Sequence, residues 1–333
     1  MATLSHVDYT SYTLESPVVF PILILADLMQ TVPVTASQFQ QSVLAVPPLA
    51  RKQDLSICPT ENARMIQHLE AGGVSMLLYG GNANLYHTRL SEYAGLLNML
   101  QSAAAEDTLV IPSAGPAFGT MMDQADILKD TDFPTIMVLP QNNVATEAGF
   151  QTGFRKFVER IDRPAVLYIK EEGLLTPQGA AELMEDGLVS FIKYAIVRED
   201  AAADDFLEQL VNKVDPQFIC SGIGEQPALV HLTKFHCVGY TSGCVCVNPA
   251  LSQAMLRAIN DKDYDRAESI RHVFEPLEDL RNEINPIRVL HEAIELAGIS
   301  ATGPHLPFLS GTTPSRQDEL RTTAIRLKEY SSH

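Results

Sequence analysis

Eight short, nearly uninterrupted apolar runs, separated by stretches with helical spacing, constrain this chain more than any other feature. They are Val18–Leu25, Val74–Tyr79, Thr108–Ile111, Thr135–Leu139, Ala165–Tyr168, Leu188–Ile192, Phe218–Cys220 and Cys237–Thr241. A strand with one wet face alternates apolar and polar residues, whereas runs without alternation belong to strands covered on both faces. Between the runs, Glu61–Ala71 and Thr146–Arg160 carry helix formers at helical spacing, and Pro177–Met184 opens with a proline suited to a first helical turn. Strand and helix alternating eight times predict an α/β protein, a parallel (β/α)₈ TIM barrel rather than an open sheet.

After the eighth run the pattern is wholly helical, over Pro249–Ile259, Tyr264–Asn282, Pro286–Ala297 and Ser315–Tyr330. The expected organisation is a barrel over residues 1–248 with an irregular N-terminal segment, and a helical extension over 249–333 packed on it rather than independent. The stretch Thr31–Pro59 contains Pro33, Pro47 and Pro48 and is longer than the loop after a first strand needs. It is expected to form an irregular cap.

A length of 333 residues and a hydrophobic fraction of 46% allow one large core. The formal charge of −17 argues against nucleic acid as a partner, because phosphates need basic patches. No apolar run approaches the roughly 18 residues that a bilayer demands. The first residues lack the basic-then-apolar pattern of a secretory leader, so a cytoplasmic location is expected, with no membrane partner. Five cysteines, mostly in apolar runs, read as reduced buried thiols. Cys244-Val-Cys246 lacks zinc-site spacing, the histidines form no His-Glu-x-x-His pair, and Gly222-Ile-Gly224 is too short for a dinucleotide fingerprint. Neither metal nor cofactor is expected.

Lys193 closes the apolar run Leu188–Lys193. In a barrel, the C-terminal ends of strands face the active site. An amine desolvated there loses its proton more readily, and a neutral amine condenses with a ketone. A lysine in that place also snorkels outward or pairs with an acid, and the run alone leaves both readings open. The turn Gly80-Gly81-Asn82 after the second run can offer successive N–H groups to a carboxylate, or can be a plain turn. Lys170 alternates with Tyr168, but the neighbouring Glu171 and Glu172 favour an exposed, paired lysine.

The order of these features over residues 72–310 resembles the dihydrodipicolinate synthase and N-acetylneuraminate lyase superfamily. Tyr79-Gly-Gly-Asn-Ala-Asn84 stands where the family has Gly-Thr-Thr-Gly-Glu, and Pro164-Ala-Val-Leu-Tyr168 is similar to its Pro-Val-x-Leu-Tyr strand. Val189-Ser-Phe-Ile-Lys193 resembles its Val-x-Gly-Ile-Lys, and Ser221-Gly-Ile-Gly224 its glycine-rich seventh loop. Gly239–Pro249 looks like the eighth strand and its Asn-Pro turn, and Asn285–Gly298 like the penultimate helix. The resemblance implies Lys193 as the Schiff-base nucleophile toward pyruvate or a related 2-oxo acid. It implies Tyr168 as a neighbouring phenol, and Gly80, Gly81, Asn82, Asn142, Gly222 and Ser242 as substrate-binding positions. It also implies a homo-oligomer, tetramer or dimer. One departure stands out: Pro140-Gln-Asn142-Asn143 replaces the family's Pro-Tyr-Tyr, so the usual acid/base tyrosine is missing. The implied function is a class I aldolase-like lyase or hydro-lyase. The alternative is a member that has lost turnover and serves as a 2-oxo acid binding or regulatory protein.

Overall fold

The computed structural model describes residues 30–141 and 143–331. Nine strand segments follow one another as β1 (Leu44–Ala45), β2 (Met76–Leu78), β3 (Leu109–Ile111), β4 (Ser113–Ala114), β5 (Met137–Val138), β6 (Ala165–Ile169), β7 (Val189–Tyr194), β8 (Ile219–Ser221) and β9 (Gly239–Ser242). Their order is β3-β2-β1-β9-β8-β7-β6-β5-β4, and every pairing is parallel. β3 and β4 are two parts of one run broken at Pro112, which brings no N–H to a ladder. On one side Tyr79 N–H donates to Ile111 O at 2.9 Å; on the other, Met137 N–H donates to Pro112 O at 2.9 Å. The circuit thus closes through that broken strand into a barrel of eight positions, as the alternation predicts.

The first strand differs from the expectation. Val18–Leu25 lies outside the described residues, and the barrel position beside β2 and β9 is filled by Leu44–Ala45. The segment expected to be an irregular cap therefore holds the first strand and, before it, the short helix α1 (Ala36–Gln41). Only two residues enter the ladder there, within the apolar stretch Val43–Ala50 that Pro47 and Pro48 interrupt.

Between strands the chain crosses over through α2 (Pro59–Ala71), α3 (Leu90–Ala103), α4 (Phe118–Leu128), α5 (Glu147–Ile161), α6 (Pro177–Glu185), α7 (Asp205–Val211) and α8 (Glu225–Thr233). The starts follow local chemistry. Thr176 accepts the Gly179 N–H at 3.0 Å while Pro177 occupies the first turn of α6, where its missing N–H costs nothing. Four helices follow the barrel: α9 (Pro249–Asn260), α10 (Tyr264–Glu283), α11 (Pro286–Leu296) and α12 (Pro314–Glu329). Asn248 and Asn285 cap α9 and α11, each followed by proline. The extension is bonded into the barrel shell: Glu278 of α10 accepts the N–H groups of Glu225 and Gln226 at 2.9 and 2.8 Å, orphan donors at the start of α8. Arg51 N–H donates to Thr302 O at 2.9 Å, and Asn248 Nδ2 to Leu327 O at 2.9 Å.

Candidate active site

The C-terminal ends of the strands open into a cavity of about 310 Å³ whose wall includes Lys193, Tyr168, Tyr86, Gly81, Asn82 and Arg281. Lys193 is the penultimate residue of β7 and only 4% exposed. Its register partners are Tyr168 on β6 and Cys220 on β8. Nζ donates to Gly222 O at 3.2 Å and lies 3.9 Å from the centre of the Tyr168 ring. The aromatic face favours the ammonium, but burial disfavours it more strongly. Burial, with smaller help from the charges of Arg281 and Lys170, brings the amine down to about 7. At neutral pH a large share of Lys193 is therefore an uncharged amine.

Gly222 permits the lysine its carbonyl partner. Its N–H donates to Tyr194 O at 2.5 Å, and a Cβ there would sit 2.6 Å from the same oxygen and 2.8 Å from the Ala195 Cβ. Only glycine lets the ends of β7 and β8 approach so closely. Opposite, after β2, the backbone N–H groups of Gly81 and Asn82 have no hydrogen-bond partner among the described residues, while Gly80 and Gly81 carbonyls accept from Leu85 and Asn84 at 3.2 and 2.9 Å. The turn is thus pinned by its carbonyls, and its two N–H groups stay without a protein partner among the described residues. The Asn82 side chain is itself committed: Nδ2 donates to Val46 O at 3.1 Å.

Two phenols face the cavity. Tyr168 offers its ring face to Lys193, and burial pushes its hydroxyl far up. Tyr86, in a short 3₁₀ turn over Leu85–His87, is pushed up to about 12 by burial and then by the charge of Glu171. Both stay protonated at neutral pH and can donate to a developing oxyanion.

Arg281 reaches the same cavity from α10, outside the barrel proper. It is 9% exposed; its Nη1 lies 3.6 Å from Glu278 Oε1, and its Nε has no partner among the described residues. Beneath it Glu225 accepts from Ser252 Oγ at 2.6 Å and Ser242 Oγ at 2.7 Å. Burial drives the Glu225 and Glu278 carboxyls up. Together with the Cys244 thiol they bring ligand-type atoms within 4.8 Å of one another. Their oxygens already serve two serines and the start of α8, so the cluster reads as a joint between barrel and extension.

Of the positions singled out from sequence, Lys193, Tyr168, Gly81, Asn82 and Gly222 line the cavity. Gly80 lies behind it, where a Cβ would meet Met137 Cε and Ser113 Oγ. Ser242 is buried and turned to Glu225, and Asn142 lies outside the described residues. Lys170, expected at the surface, is exposed yet contributes to the rim of the cavity. Sequence reasoning missed Tyr86 and Arg281. Tyr86 follows the Gly-Gly-Asn turn closely and was within reach of a strand-end argument; nothing in the order of strands marks Arg281.

Residues 41–325 match the Dihydrodipicolinate synthetase family, and the chain belongs to that family. A 4-hydroxy-tetrahydrodipicolinate synthase from Methanosarcina barkeri is 27% identical over 194 residues, 57% of this chain and 66% of that protein. The crystal structure of dihydrodipicolinate synthase from Oceanobacillus iheyensis superposes with a TM-score of 0.77 at 21% identity, covering 86% of this chain and 96% of that one. A prophage protein of the dihydrodipicolinic acid synthase family from E. coli, solved in complex with pyruvate, gives 0.74 at 19% identity, covering 86% and 98%. Among the described residues, no helix is long and apolar enough to cross a membrane.

Proposed function

We propose that the protein is a lyase or hydro-lyase of the Schiff-base type, acting on pyruvate or a related 2-oxo acid through an imine on Lys193. The observation that carries this reading is the buried amine at the end of β7, brought down to about 7 and facing a cavity with free N–H donors opposite. The carboxylate next to the ketone rests on the Gly81 and Asn82 N–H groups. The Nζ lone pair adds to the ketone carbon, and the resulting carbinolamine releases water to leave a protonated imine. That imine accepts the electron pair when a neighbouring bond to carbon or hydrogen breaks. Tyr168 and Tyr86, the two phenols in the cavity wall, donate to the carbinolamine oxygen and exchange protons with the substrate in this reading. Family membership and the pyruvate complex of the prophage relative support the 2-oxo acid.

Borohydride reduction with pyruvate, followed by peptide mapping, tests this directly. The expected result is one reduced adduct on Lys193, absent from Lys193→Met. No adduct across a panel of 2-oxo acids, or an adduct on another lysine, sinks the proposal. Turnover that depends on Lys193 rules out the alternative of a binding or regulatory protein. The same reading includes a cytoplasmic location, which the five unpaired cysteines support, and a homo-oligomer. Sedimentation velocity of that preparation should show a dimer or tetramer, and a monomer would remove that part.

A further inference from the structure

The cavity holds more positive charge than imine chemistry needs. Its wall carries Lys170, Lys193 and Arg281, and no carboxylate among the described residues. Lys193 is the nucleophile, and the Gly81 and Asn82 donors are suited to the carboxylate beside the ketone. Arg281 is left over. The residue is 9% exposed, and its Nε has no partner among the described residues. Its nearest acid, Glu278, stands 3.6 Å away and spends both oxygens on the N–H groups of Glu225 and Gln226. A fork–fork pair is shorter than that, so no carboxylate among the described residues closes the planar donor edge of Arg281. The backbone has made room for it: Gly224 has φ +112° and lines the cavity, and a Cβ there would collide with Glu278 Oε1 and sit 2.9 Å from Arg281 Nη1.

We infer that Arg281 binds a second carboxylate, at the far end of the substrate, and so selects 2-oxo dicarboxylic acids over pyruvate-like monoacids. This rests on the imine reading above and extends it. The topology supplies the span. The N–H pair follows β2, Gly224 and Arg281 stand beside the loop after β8, and β1 and β9 lie between. A molecule anchored at both ends crosses the mouth, with its ketone within reach of Lys193 on β7. Burial makes the contact strong, because a guanidinium–carboxylate pair shielded from water is screened little.

The test compares 2-oxoglutarate with 2-oxopentanoate, which replaces the distal carboxylate by a methyl group at equal chain length. Half-saturating concentrations are read from borohydride-trapped Lys193 by mass spectrometry. The full-length protein should favour 2-oxoglutarate by about tenfold or more, and Arg281→Gln should erase most of that ratio, with Arg281→Lys restoring part. Equal affinity for the two acids in the unaltered protein overturns the inference, whether or not the variants fold. So does a variant that weakens both acids in proportion, since that marks a structural role. Calorimetric titration with glutarate, which cannot form an imine, separates the two readings. Glutarate binding lost in Arg281→Gln without any lysine adduct would leave the arginine site standing and the imine chemistry refuted. An adduct on Lys193 with no preference and no glutarate binding would do the reverse.

Discussion

A lysine in water holds its proton to about 10.5, and Lys193, sealed between β6 and β8, gives it up near 7. Between those values the unfolded chain binds a proton at this position and the folded chain does not, so folding stability rises with pH across that window. Below it the folded protein bears the full cost of a buried ammonium. Lys193→Met should therefore melt higher than the unaltered protein at pH 6, by about 1–2 °C for each kcal/mol of relieved cost, and the gap should shrink toward pH 10. Calorimetric scans across that range check it; a gap independent of pH would mean that the lysine is hydrated in the folded state. Lys193, Gly81 and Asn82 were legible in the sequence because strand ends and the turns after them face one side of a barrel. Tyr86, just past that turn, was within reach of the same argument and was missed, whereas Arg281 was not legible, since an outer helix reaches the mouth only through tertiary packing. Ser242 sits at a strand end too, yet its hydroxyl serves Glu225 instead of the cavity.

Among the elements, the later strands declared themselves through unbroken apolar runs, and three of the four terminal helices begin at Asn-Pro or Thr-Pro. β1 did not, because Pro47 and Pro48 interrupt its apolar stretch Val43–Ala50 and only two of its residues enter the ladder. The union of α8 and α10 is the most exacting element contact near the site. Glu278 caps α8, and the chain between β8 and α8 passes it at Gly224, whose positive φ suits glycine. Gly224→Ala should cost about 2–4 kcal/mol, from backbone strain and the steric clash together. Urea unfolding reads this. A loss below about 1 kcal/mol, within the range of ordinary surface changes, would show that α10 is free to step aside.

For the molecule as a whole, the helical extension shares the barrel's core: Phe274 and Leu277 of α10 and Leu320 of α12 are wholly buried within one apolar cluster with the strands. We propose that it belongs to the same folding unit. A chain ending at Asn248 should lose its cooperative thermal transition and bind a dye specific for exposed apolar surface; a sharp melt would contradict this. The route of α10 also divides labour along the sequence. Lys193 belongs to a strand that its neighbours hold in register, while Arg281 belongs to a helix that no ladder restrains. On the two readings proposed above, substitutions along that helix would change which acids are accepted and leave the Lys193 amine in its strand. The diet of such a barrel would be free to drift while its chemistry stayed put.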